Sequence, residues 1–67
     1  MTTNERREIL KRARADAETV AALGRGEFDK AEAAGAALRR LDEIGRDLRG
    51  MGYCLRWRGG RLCISKA

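Results

Sequence analysis

At Gly50-Met51-Gly52 the spacing of apolar residues in this chain changes from helical to alternating. Apolar residues three and four apart share one side of a helix, whereas residues two apart share one face of a strand. Upstream, Ala31, Ala34, Leu38, Leu41, Ile44, Gly45, Leu48 and Met51 form a helical stripe. Downstream, Tyr53, Leu55 and Trp57 alternate with Cys54, Arg56 and Arg58, and Gly59-Gly60 separates them from Arg61, Leu62, Cys63, Ile64 and Ser65. A Gly-Gly pair between two alternating runs predicts a β-hairpin, because its favoured tight turn needs positive φ at both central positions. Pairing Arg58 with Arg61 puts Trp57 opposite Leu62 and Leu55 opposite Ile64. One face is then Tyr53, Leu55, Trp57, Leu62 and Ile64, and the other is Cys54, Arg56, Arg58, Arg61, Cys63 and Ser65.

The first third of the chain has a helical period of its own. Thr2-Thr3-Asn4-Glu5 is a capping box, and Ile9, Leu10, Ala13, Ala17, Val20, Ala21 and Leu23 follow at helical spacing. Gly24-Arg25-Gly26 ends that helix, and a linker so short implies an antiparallel helical hairpin. The expected fold is therefore α+β, an ααββ single domain over residues 1–67. Its helices lie at about 3–23 and 27–49, and its hairpin at about 53–65. Gly35 and Gly45 each cost about 1 kcal/mol inside a helix relative to alanine, so close backbone packing or a bend is expected there.

A chain of 67 residues buries a small share of its surface, and much of its 43% apolar content is alanine. So thin a core predicts a homodimer, with Leu41, Ile44, Leu48 and Met51 as the seam. In that scheme Leu38, Leu41 and Gly45 face the first helix, and part of the remaining edge packs under Leu55 and Trp57. Residues 1–11 carry no apolar run of the signal-peptide kind, and no stretch is long enough to span a bilayer. The expected location is the cytoplasm, with no membrane partner.

The net charge is +5, and its distribution is uneven. Residues 1–25 hold six basic side chains against four acids, and residues 26–51 hold five against six. Residues 52–67 hold Arg56, Arg58, Arg61 and Lys66 with no acid at all. Arginines on one ribbon face bind carboxylates or phosphates through paired hydrogen bonds; the same charges would also keep the ribbon from pairing edge to edge. Arg56, Arg58, Arg61 and Lys66 are thus the expected partner-binding residues.

The chain has no histidine, no nucleotide-binding loop and no nucleophile–base pair, which argues against an enzyme and against a cofactor. Cys54 and Cys63 alone cannot complete a zinc site in one chain, although two copies could share one. They are diagonal neighbours if the turn is Gly59-Gly60, and directly opposed, within disulfide reach, if it is Arg58-Gly59. The expected function is a small basic binding module, a regulator or inhibitor of phage or mobile-element type, that engages an acidic protein surface or peptide. The alternative is a DNA- or RNA-binding regulator using the same ribbon.

Two local likenesses accompany these readings. Leu23-Gly24 with Gly26-Glu27-Phe28-Asp29-Lys30-Ala31 resembles the inter-helix turn of a tetratricopeptide repeat, over one helix pair only. Residues 48–62, from Leu48-Arg49-Gly50 through Tyr53 and Gly59-Gly60 to Arg61-Leu62, resemble the helix-to-hairpin segment of TubC-type docking domains of megasynthetases. That resemblance implies an exposed hairpin that captures an acidic peptide tail, with Arg56, Arg58 and Arg61 as contacts. The match covers about a quarter of the chain. It departs from the family in placing the hairpin last, with no helix after it.

Overall fold

A computed structural model describes residues 1–67. Helix α1 spans Thr3–Gly24 and begins on the capping box: the Glu5 amide donates to Thr2 Oγ1 and the Thr2 amide donates to Glu5 Oε1, both at 3.1 Å. Those bonds satisfy amides that the first turn of a helix otherwise leaves unpaired. Helix α2 spans Ala31–Gly50, strand β1 Tyr53–Arg58 and strand β2 Arg61–Lys66, and the two strands form one antiparallel hairpin. The order is ααββ, an α+β fold.

The second helix starts later than its periodicity suggests. Phe28–Lys30 form a single 3₁₀ turn, closed by the Lys30 amide donating to the Glu27 carbonyl at 3.0 Å, and α2 begins only at Ala31. No side chain caps either start, so the tighter i→i+3 bonding takes up amides that a cap would have satisfied.

The hairpin has the predicted register: Arg58 faces Arg61, Trp57 faces Leu62 and Leu55 faces Ile64. Gly59 and Gly60 have φ of +55° and +78°, left-handed values that carry no side-chain clash in glycine. With a two-residue turn the closing pair exchanges both hydrogen bonds, so the next pairs, Trp57–Leu62 and Leu55–Ile64, turn their backbone groups outward to the ribbon's edges. At the base, the Ala67 amide donates to the Gly52 carbonyl at 3.0 Å.

The ribbon lies along both helices, β2 beside α1 and β1 beside α2. Arg6 stacks over the Tyr53 ring at 5.8 Å near the hairpin's base, while Ala21 lies by Gly60 at its tip. The ribbon runs along most of that stretch: fifteen helical steps from Arg6 to Ala21 span about 22 Å, and the five strand steps from Tyr53 to Arg58 about 17 Å before the turn. Helix α1 therefore meets two neighbours. Ile9 and Asp16 lie toward α2, and Arg6, Arg14, Ala17 and Ala21 lie toward the hairpin.

The core is small. Ala13, Ala22, Ala34, Ala37, Leu48, Leu62 and Ile64 are its buried apolar residues, and Leu48 is the one large side chain with no exposure. Full burial of such a leucine contributes about 1.5–3 kcal/mol. Leu48 thus belongs to the core of a single chain and leaves the proposed dimer seam, since a side chain with no exposed surface has none to offer a second copy. Leu38, expected against α1, is instead 53% exposed; Ala37, one step round the helix, is buried in its place. Nothing lies within 4 Å of a Cβ built on Gly35 or Gly45, so close backbone packing does not account for those glycines. Neither helix is long and apolar enough to cross a membrane.

Candidate partner-binding surface on the hairpin

The strand alternation puts Arg56, Arg58 and Arg61 on the ribbon face turned away from the helices, and all three are exposed. Arg58 and Arg61 are direct cross-strand partners beside the Gly-Gly turn. Like charges so placed repel unless an anion or solvent separates them. None of the three has a carboxylate partner; the only side-chain hydrogen bond among them is Arg56 Nε donating to Cys54 Sγ at 3.3 Å.

Lys66 does not belong to this group. It stands opposite Tyr53, and the period of two turns it to the face that carries Tyr53, Leu55, Leu62 and Ile64. The same register places Cys54 opposite Ser65 and Cys63 opposite Arg56. The cysteines are therefore diagonal neighbours, both free thiols, and the directly opposed arrangement does not occur. Cys54 Sγ donates weakly to the Lys66 carbonyl and Cys63 Sγ to the Arg61 carbonyl, at 3.9 and 3.8 Å.

Every ion pair lies in the helices and the turn between them. Arg25 bridges Glu18 at 2.9 Å and Glu27 at 3.3 Å, Lys30 holds Glu27 at 3.1 Å, and Arg46 holds Asp42 at 2.9 Å. The hydrogen bond to Glu18 raises Arg25 above the usual guanidinium value, and the bond from Lys30 lowers Glu27 below the usual carboxylate value. The strongest pair joins α1 to α2. Arg40 donates through Nε and Nη2 to both carboxylate oxygens of Asp16 at 2.8–3.2 Å, and that hydrogen bonding raises Arg40. Asp16 is buried, and the sequence carries a signal for it: Ile9, Ala13, Asp16 and Val20 fall at steps of four, three and four, so one acid sits inside an apolar stripe.

Two further contacts were invisible in the sequence. Arg14 Nε donates to the Leu62 carbonyl at 2.9 Å, so a helix side chain occupies an outward-turned acceptor on the free edge of β2. No hydrogen bond reaches the corresponding edge of β1. Trp57, placed by alternation on the helix-facing side, is nevertheless 65% exposed because it stands at the hairpin's tip beside alanines.

Of the expected seam residues, Ile44, Leu48 and Met51 line one small cleft with Ile9 and Arg12, and Leu41 is half-buried outside it. Phe28, 76% exposed, sits in the inter-helix turn. Comparison with protein-family models, with curated proteins and with solved structures finds no match.

Proposed function

We propose that this chain is a non-enzymatic protein-binding module, a regulator or inhibitor that uses its β-hairpin to engage an acidic surface or peptide of a larger protein. One observation carries the reading. Arg56, Arg58 and Arg61 stand exposed on one ribbon face without an acid partner, in a segment that holds no acid at all, whereas residues 1–51 hold ten acids against eleven basic side chains. Carboxylates from a partner would relieve the Arg58–Arg61 repulsion and accept paired guanidinium hydrogen bonds. The likeness of residues 48–62 to docking-domain hairpins points the same way.

The test is affinity capture with the wild type and an Arg56→Glu/Arg58→Glu variant, alongside a gel shift with DNA and RNA at two salt concentrations. The expected result is a protein partner retained by the wild type alone. Identical capture by both baits removes the reading. Nucleic-acid binding that strengthens as salt falls replaces it with the ribbon-in-groove alternative.

A further inference from the structure

We infer that the groove between the hairpin tip and the C-terminal half of α1 receives one large apolar side chain of the acidic segment that the arginine face engages. The inference rests on that reading of the hairpin and extends it by naming a second recognition element.

The groove exists because of a mismatch in size. At the tip, Trp57 and Leu62 are cross-strand partners on the helix-facing side, and the α1 positions beneath them are Ala17 and Ala21. Leu62 is buried against the helix, but the alanines are too short to cover the neighbouring indole, which stays mostly exposed. The space left is about 300 Å³, at the low end of the ~300–1,000 Å³ typical of ligand sites. An opening of that size accommodates one large side chain.

The rim selects the charge of what brings that side chain. Arg61 and Arg14 stand on it, and Arg61 has no acid partner. Arg14 is held by its Nε bond to the Leu62 carbonyl, which leaves its terminal amino groups as donors at a fixed position. Glu18 is the one acid at the groove, and Arg25 already binds it at 2.9 Å. A tryptophan and two arginines around a small opening are the residue types that dominate binding energy at protein interfaces. The occupant they fit is an aromatic or branched aliphatic residue flanked by aspartates or glutamates. Carboxylates on one side of it would reach Arg61 and continue onto Arg58 and Arg56.

Trp57 is the chain's single tryptophan, so its emission reports on the groove without a label. The experiment titrates the full chain with two short synthetic peptides of alternating aspartate and glutamate, one with a central phenylalanine and the other with a serine there. The phenylalanine peptide is expected to bind about tenfold tighter, the contribution of one well-packed hot-spot residue, and it alone should shift Trp57 emission to the blue. Filling the space with Ala17→Leu should abolish that preference and leave the serine peptide's affinity unchanged. The two-peptide comparison on wild type stands without the variant.

Equal affinities, or unchanged emission at saturation, overturn the groove. If both peptides then also lose binding in Arg56→Glu/Arg58→Glu, the arginine face survives alone. No binding by either peptide overturns both readings. A single-stranded oligonucleotide that binds tighter than the phenylalanine peptide and quenches Trp57 overturns the partner class.

Discussion

In the helical hairpin, Asp16, Glu18, Glu27 and Asp42 each hold an arginine or lysine; in the β-hairpin, Arg56, Arg58 and Arg61 hold no acid. The halves differ as much in packing. The helices bury Ala13, Ala22, Ala34, Ala37 and Leu48, and the ribbon contributes Leu62 and Ile64 on its buried side and is held by Arg14 at one edge. In the helical half one pair, Asp16–Arg40, ties α1 to α2, and the other ion pairs lie exposed within a helix or at the turn. The ribbon contributes two large residues to the core and leaves its charges unspent. Under the proposed function, stability and recognition fall to different residues, and substitutions should separate them.

The largest effect tests whether the halves share one core. Leu48→Ala should cost about 2–5 kcal/mol in urea unfolding, with circular dichroism and Trp57 emission changing in one coincident transition. Two separated transitions would show halves that fold independently. Arg40→Ala should cost less. It strands a buried carboxylate, but its partner was half exposed, which discounts the 3–5 kcal/mol of a fully buried pair. Replacing both partners, Asp16→Leu with Arg40→Leu, should recover most of that loss, and failure to do so would mark the pair as a net contributor to stability. Gly60→Val should cost about 1–2 kcal/mol through the backbone alone, since nothing lies near the added Cβ at φ +78°. Gly60→Asn should cost less, because asparagine tolerates that region.

Recognition should move in the opposite direction from stability. Arg58→Glu turns a repelling cross-strand pair into an attracting one, so the hairpin should gain about 0.2–1 kcal/mol at low salt and lose the gain as salt rises, while partner capture falls. Loss of stability instead would mean that Arg58 makes a structural contribution. The smallest effect is a pH dependence confined to the helical half. Hydrogen bonds from Thr2 hold Glu5 below its ordinary value of 4.5, and the bond from Lys30 holds Glu27 below the same value. A carboxylate whose folded value is depressed stabilises above its unfolded value and loses that contribution as pH falls through the folded one. Helicity should therefore decline as the pH drops below about 4.5, and Glu5→Gln should flatten part of that decline.

The order of elements and the ribbon's register were legible because each rests on local chemistry. Thr2 and Glu5 mark a helix start, and Gly59-Gly60 admits one tight turn, from which the opposition of Arg58 and Arg61 and the diagonal cysteines follow. Arg56, Arg58 and Arg61 were legible as one face for the same reason. Lys66 was grouped with them by charge, and its parity sets it on the opposite face of the ribbon. What periodicity cannot supply is which of two adjacent helical strips meets which neighbour. Because α1 packs against both α2 and the ribbon, its stripe is a double one, and Asp16 and Arg14 take inter-element bonds that no spacing rule assigns. Leu38 and Leu48 exchanged core and surface on the same account: Ala34, Ala37 and Leu48 turn to the core, and Leu38, next to Ala37 in the chain, turns away from it.

The Arg14 bond to the Leu62 carbonyl has a consequence for the company this ribbon can keep. Strand-by-strand growth into a fibre needs two open edges on every copy, one to add to and one to be added to. Here the Arg14 guanidinium occupies one outward-turned acceptor of β2, the Leu62 carbonyl, and no side chain reaches the outward-turned groups of β1. The two edges are therefore unequal: a strand adding along β2 must displace the Arg14 bond, and one adding along β1 displaces none.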